Sequence, residues 1–269
     1  MPLRHALYLP PFEELADPHV MIDLARAAED HGWDGLFLWD HVLRPPDESS
    51  AIADVWVQLA AVAAVTTTIR LGPMVTPIVR RRPQKLVREA VTLDHLSRGR
   101  LTLGLGLGVD TSGELSRFGE VVDPRRRGDI LDEGADLLVR LWSGEAVTHR
   151  GDAFLADGVT FLPRPVQSPS IPIWMAARGD AVRPVRRAAR YDGLFPIEVD
   201  ADGLARMVEV VVAERGSLDG FDIAVLAHPG VDLPAMEARG ATWAMWSFLP
   251  GEPAAEVARF IAAGPRSTT

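Results

Sequence analysis

The sequence predicts a (β/α)8 barrel, and three observations carry that reading. Short apolar runs alternate with capped helical stretches, and in the first half the runs start about 30 residues apart, the size of one βαβ unit. These runs are continuously apolar instead of alternating, as parallel strands buried on both faces are. The chain has 269 residues, close to the roughly 250 that eight such units occupy. Length alone also admits two small domains, and an open doubly wound sheet shares the periodicity. The count of eight strand candidates favours the closed form.

The elements follow in order. Residues 5–9 form the first run; Asp17-Pro18 then supplies an N-cap and a proline at the first helical position, and Gly32 follows the last turn. Residues 35–39 form the second run and 51–66 the second helix. Residues 69–75 form the third, followed by Arg82-Pro83 and a helix closing at Ser97-Arg98-Gly99. Residues 101–107 form the fourth, followed by Asp123-Pro124 and a helix ending near Gly144. The rhythm breaks over about 145–170, a polar, Gly/Pro-rich stretch expected to be an inserted hairpin and loop within a single domain, 1–269. Further strands are expected at 171–175, 193–197, 221–227 and 242–248, and helices at 179–190, 202–215 and 252–263, with a short one near 234–239.

Composition excludes several classes of function. Hydrophobic residues make up 47% and charged residues 24%, enough for a large core in an ordinary globular mixture. A net charge of −9 argues against general affinity for nucleic acid or anionic membrane. The absence of cysteine removes disulfides and thiolate metal sites and fits a reducing compartment. Met1 to His5 runs into an apolar strand with no signal stretch, and the block from Ala51 to Val65 is too short to cross a bilayer. A soluble, cytoplasmic protein is expected. No His/Asp/Glu pattern has metal-ligand spacing, and no Gly-x-Ser-x-Gly occurs.

Three segments carry a family resemblance: FLWDH at 37–41, RPQKLVREAVTLDHLSRGRLTLGLGLG at 82–108, and FLPRPVQSPSIPIWMAARGDAVRPVRRAARYDGLFP at 161–196. In order and spacing the chain resembles, over nearly its whole length, the luciferase-like (LLM class) flavin- or deazaflavin F420-dependent oxidoreductases. The Leu-Asp-x-Leu-Ser-x-Gly-Arg block before the Gly-rich strand is the most specific part. The resemblance implies a TIM barrel with an insertion between the fourth helix and the fifth strand. It also implies a reduced FMN or coenzyme F420 at the C-terminal mouth. Hydride transfer to or from that cofactor, or oxygen activation by reduced flavin, would be its chemistry.

Site residues follow strand by strand. Asp40 and His41 end the second strand, where a histidine suits donation to a ring oxygen or acid–base work near neutral pH; alternatively Asp40 caps a loop and His41 is packed. The resemblance favours a catalytic pair, because deazaflavin-using branches carry Asp-His here. The third strand ends Met74-Val75-Thr76, where the resemblance implies a cofactor-supporting bulge with a non-prolyl cis bond at Met74–Val75. Gly104, Gly106 and Gly108 alternate along a strand, which is not the G-x-G-x-x-G fingerprint and reads as room for a ligand or close packing. The glutamate that the sugar-phosphate branch carries soon afterwards is replaced by Val109, with Asp110 beside it as a substitute acid or a plain loop residue.

Ala176, Ala177, Arg178, Gly179 and Asp180 link the fifth strand to its helix, a turn suited to a cofactor phosphate. Arg178 either adds charge there or points to solvent. The run Arg80-Arg81-Arg82 could meet a phosphate or the acidic tail of the deazaflavin, but a solvated loop is the simpler expectation. His228, Trp243 and Trp246 either line a substrate pocket or belong to the core.

The leading expectation is hydride transfer between coenzyme F420 and a small organic substrate. The alternatives are a reduced-FMN monooxygenase and a flavin-binding protein without turnover. A homodimer through the 51–66 helix is expected, because that segment is apolar on nearly all sides.

Overall fold

The computed structural model describes residues 2–45, 50–179 and 181–265. Nine parallel strand segments form one sheet, and they close on themselves. β1 (Arg4–Leu9) lies between β2 (Gly35–Leu38) and β11 (Trp243–Ser247). The wall continues through β10 (Asp222–Ala227), β9 (Gly193–Ile197), β8 (Ile173–Arg178) and β5 (Leu103–Gly106). The two end segments, β3 (Arg70–Pro73) beside β2 and β4 (Thr76–Pro77) beside β5, are consecutive pieces of one strand. The sheet therefore has no free edge, and the eight-stave barrel is confirmed. The expected third strand, 69–75, is divided in two by a cis peptide bond at Met74–Val75.

Helices cover the outside. α1 (Pro18–Asp30), α2 (Val55–Val65) and α3 (Pro83–Ser97) pack in succession, followed by α4 (Pro124–Trp142). Local chemistry sets their starts: Asp17, Asp54 and Asp123 each accept a backbone N–H from the first turn. α3 ends where Arg98 and Gly99 both take left-handed backbone, which stops the helix. The inserted segment contains the expected hairpin, β6 (Val147–Arg150) with β7 (Leu155–Val159). Glu133 of α4 pins it by accepting from His149 Nε2 and from the amides of Ala153 and Phe154 at 2.8–3.0 Å. After β8 come α5 (Val182–Ala188), α6 (Ala201–Arg215), α7 (Leu233–Ala238) and α8 (Ala254–Ala262).

Two expectations change. α5 spans seven residues, not 179–190: β8 runs on through Arg178, and Gly179 takes left-handed backbone that a helix cannot use. α2 starts at Val55, and its interior polar residue, Gln58, is turned inward, donating to the carbonyls of Leu15 and Ala16. The residues just before it are not helical: Ile52 bridges to Phe12. Much of the apolar surface of α2 is thus covered by its own chain. Val57, 67% exposed, and Ala64 remain on the outside.

The lower barrel is filled by Phe37, Met74, Trp174, Phe195, Trp243 and Met245. Phe37 and Trp174 stack with ring centroids 5.5 Å apart, and Trp243 meets both edge-on. Gly193 sits against Trp174, where a Cβ would collide with the indole. Above this plug a cavity remains at the C-terminal ends of the strands, where barrel enzymes hold their sites. Among the described residues, no helix is long and apolar enough to cross a membrane, and no His/Cys/Asp/Glu cluster could hold a metal ion.

Candidate active site

A cavity of about 330 Å³ opens at that end of the barrel, within the roughly 300–1,000 Å³ range of small-molecule sites. Its walls come from the last residues of successive strands. Met74, Val75 and Pro77 stand next to Gly106 to Val109, and the wall continues through Ala176 on β8 and Phe195 and Ile197 on β9. The polar groups are few: Tyr8, Asp40, His41, Glu114 and Arg178. Largely apolar walls with a few convergent polar groups are the usual make-up of a small-molecule or cofactor site.

The glycine alternation along β5 has a steric cause. A Cβ on Gly106 would lie 2.6 Å from Val75 Cγ2, and one on Gly108 would lie 2.9 Å from Pro77 Cβ. The bulge at Met74–Val75 therefore presses onto β5, and only glycine admits it. The geometry shows the close packing expected of these glycines, and Gly106 and Gly108 also line the cavity.

His41 is the candidate acid–base side chain at the cavity, and its surroundings are closely defined. Its Nδ1 lies 2.9 Å from Glu114 Oε2, and the imidazole is 26% exposed while the Glu114 side chain is 3% exposed. Glu114 Oε1 accepts from the amides of Val42 (2.6 Å) and Leu43 (3.1 Å), and Arg80 Nη1 stands 3.6 Å away. Burial pushes the Glu114 carboxyl up. The hydrogen bond and charge of His41, the Val42 amide and Arg80 outweigh burial and hold it below the usual glutamate range. With a carboxylate as acceptor, His41 Nδ1 carries a proton and Nε2 is left for a ligand.

Asp40 also lines the cavity, but its oxygens are occupied. Thr76 Oγ1 donates to Oδ2 at 2.7 Å, and Arg81 donates to both oxygens at 2.9 and 3.1 Å. Arg80 donates to the Asp40 carbonyl at 2.7 Å and to Oδ1 at 3.3 Å. This geometry makes Asp40 an anchor for the His41 loop. It also corrects the expected solvated arginine run. Arg80 and Arg81 turn inward, because a buried carboxylate needs partnered charge; only Arg82 is exposed.

Other expected residues separate in the same way. Asp40, His41, Met74, Val75, Gly106, Gly108, Ala176 and Arg178 meet at the cavity. Thr76 is fully buried on Asp40, and Ala177 is buried on the helix side of its strand; neither lines the cavity, since neighbouring strand residues face opposite ways. Gly179 has left-handed backbone with φ +56° and open space above it, but its amide already donates to the Ile197 carbonyl at 3.2 Å. Asp180 lies outside the described residues. Arg178 pairs with Glu198 at 2.7 Å across the rim.

Asp110 accepts from the amides of Ser116 and Leu115 at 3.0 and 2.8 Å, which lower its pKa and make it a loop brace. Trp243 is core, Trp246 Nε1 donates to His5 Nδ1 at 3.1 Å, and His228 is exposed; none lines the cavity.

Sequence reasoning missed Glu114 and Tyr8. Glu114 lies 73 residues from His41 in a loop with no motif, so nothing local points to it. Tyr8 had a signal, a phenol near the end of an otherwise apolar first strand. Burial pushes its hydroxyl well above the ordinary tyrosine value, against the nearby charge of Arg178, so it is a neutral donor.

A mouth cavity over a plugged (β/α)8 barrel, walled by a cis-peptide bulge and holding a carboxylate-anchored histidine, defines a barrel enzyme by its architecture. The chain belongs to the luciferase-like monooxygenase family, whose model matches residues 5–267. It is 33% identical over 239 residues to an uncharacterized protein of Mycobacterium tuberculosis, covering 82% of this chain and 81% of the relative. It is 36% identical over 192 residues to the F420-dependent glucose-6-phosphate dehydrogenase of Nakamurella multipartita, covering 70% of this chain and 54% of the dehydrogenase. The chain thus spans about half the length of that enzyme. The coenzyme F420-dependent tetrahydromethanopterin reductase of Methanopyrus kandleri shares the fold, with a TM-score of 0.78, 16% identity, and coverage of 98% of this chain and 99% of that one.

Proposed function

We propose that this protein is an F420-dependent oxidoreductase that transfers a hydride between the deazaflavin and a small organic substrate. The observation that carries the reading is the His41–Glu114 pair at the edge of an apolar, ring-sized slot. The F420-dependent names among its relatives support it. When bound, the deazaflavin supplies the hydride donor or acceptor.

The chain's own residues do the rest. Val75, Pro77 and Gly108 form one wall for the ring, Ala176 and Ile197 the other, and the plug beneath excludes water. His41 Nε2 holds or moves the proton at the substrate oxygen. Glu114 fixes the imidazole's tautomer and orientation, and Asp40 holds the loop in place through Arg80. Arg178 and the turn through Gly179 receive the cofactor's phosphate by charge and close approach, with the Gly179 amide itself already engaged.

The test is a binding titration of the purified protein with coenzyme F420 and with FMN. Tighter binding of F420, with spectral bleaching on reduction by a substrate alcohol, supports the proposal. Preferential FMN binding with oxygen consumption would replace it with the monooxygenase reading.

Two further proposals accompany it. The protein forms a single domain and pairs as a homodimer through the outward face of α2, where Val57 and Ala64 are exposed; a monomer by sedimentation at micromolar concentration would exclude the pairing. It works in a reducing compartment, the cytoplasm, consistent with a chain that has no cysteine.

A further inference from the structure

The chain has two tyrosines, and the fold treats their hydroxyls differently. Tyr191, just before β9 at the opposite end of the barrel, donates to Asp136 at 2.6 Å. Tyr8 lines the catalytic cavity, and its hydroxyl makes no hydrogen bond with any described residue. Arg178 acts on it through charge alone, its own Nη1 being held by Glu198 at 2.7 Å. A hydroxyl taken out of water without a partner is unfavourable, so packing alone gives no reason for a tyrosine here; phenylalanine would fill the same space.

The ring that carries this hydroxyl is firmly seated. Phe195 meets it edge-on with centroids 5.5 Å apart, and Trp39 packs on it at 5.3 Å. Trp39 also lies 5.9 Å from the His41 ring, so one indole supports both polar side chains. The indole Nε1 is itself buried without a partner and does not reach the phenol oxygen.

Topology puts Tyr8 on the His41 side of the mouth. β1 and β2 are neighbours, with Tyr8 in register with Phe37 and Leu9 with Leu38, and His41 follows the end of β2. β8, which carries Ala176 and Arg178, stands diametrically opposite β1. It is reached through β11, β10 and β9 one way round the wall, and through β2, the β3–β4 stave and β5 the other way. The ring wall assigned above to Val75, Gly108 and Ala176 belongs to that far side. His41 Nε2 and Tyr8 Oη therefore come from adjacent staves that face it.

We propose that Tyr8 is a second catalytic residue, whose hydroxyl donates a hydrogen bond to the same substrate oxygen that His41 serves. The assignment rests on the hydride-transfer reading above. Tyr8 keeps its proton and holds the oxygen, while His41 moves the proton. Negative charge on that oxygen is greatest in the transition state, so a fixed donor contributes more to rate than to ground-state binding.

The test is Tyr8→Phe, which keeps the ring contacts and removes one oxygen. The full chain is labelled with meta-fluorotyrosine and followed by fluorine NMR; two resonances are expected, and the variant assigns the one from Tyr8. The probe is cyclohexanone, titrated first without coenzyme F420 and then with it. Expected are a shift of the Tyr8 resonance alone and a ketone affinity about five-fold weaker in the variant. With cyclohexanol as hydride donor, kcat should fall about 10²-fold while coenzyme affinity stays unchanged. The melting temperature of the variant should equal or exceed that of the wild type, because an unpaired hydroxyl is removed.

A lower melting temperature would show the hydroxyl to be structural and overturns the proposal. So does a Tyr8 resonance that cyclohexanone leaves in place up to its solubility limit. A Tyr8 shift produced by the coenzyme alone, with ketone affinity untouched by the substitution, assigns the hydroxyl to the cofactor and overturns the substrate role. Failure of F420 to bind at all overturns only the cofactor reading, because the ketone titration and the melts need no coenzyme.

Discussion

Replacing Glu114 by glutamine tests the site at its most constrained point. The side chain keeps its length, but one carboxylate oxygen becomes an N–H₂ group. Oε1 now accepts from the Val42 and Leu43 amides and Oε2 from His41 Nδ1. Whichever way the amide is turned, a donor meets a donor. The native contacts are charge-assisted and buried, so the substitution should cost about 1–3 kcal/mol of stability.

The chemical effect is larger. His41 escapes the clash by moving its proton to Nε2, which removes the acceptor that faces the ligand. A general acid/base contribution is worth about 10²–10⁴ in rate, so hydride transfer should fall by that order while coenzyme affinity changes little. Stopped-flow absorbance of the deazaflavin in a single turnover reads the rate, and equilibrium titration reads the affinity.

The pH dependence adds an independent check. The folded Glu114 pKa lies below its ordinary value of 4.5. Its stabilisation is therefore present above about pH 4.5 and lost as pH falls through the lower folded value. The melting-temperature gap between wild type and variant should narrow in acid. A folded Glu114→Gln protein with an unchanged hydride-transfer rate would refute the proposed link between this carboxylate and His41.

Three other outcomes are expected. Gly72→Ala should cost about 3 kcal/mol or more, measured by urea unfolding, because its Cβ would fall on the Thr102 carbonyl oxygen, which is backbone and cannot move aside. Glu29 accepts from the amides of Thr67, Thr68 and Ile69; against a burial penalty, these bonds lower its pKa from 4.5 to about 2. Its contribution, roughly 1 kcal/mol after allowance for solvent screening, should be whole above pH 4.5 and vanish as pH falls through about 2, so wild type and Glu29→Gln should converge in acid melts. Gly179→Asp adds a carboxylate above an open turn with φ +56° and should weaken coenzyme binding about ten-fold or more with little change in melting temperature.

The sequence by itself determined the barrel. Continuous apolar runs, Asp-Pro helix starts and the 145–170 break are local signals, written within one turn or one strand, and each survives folding because burial and capping act over a few residues. The same holds for the resemblance that points to His41 and to the Met74–Val75 bulge. Tertiary structure decided what those residues meet. Whether Arg80 and Arg81 face solvent or clamp Asp40 depends on a buried carboxylate 40 residues away, and Glu114 acquires its partner only when two loops converge over the barrel. Strand alternation then separates Ala176, in the cavity, from Ala177, behind the wall. Periodicity records which residues are apolar, but the pairing of charges is set by desolvation, which exists only once the mouth of the barrel has closed around them.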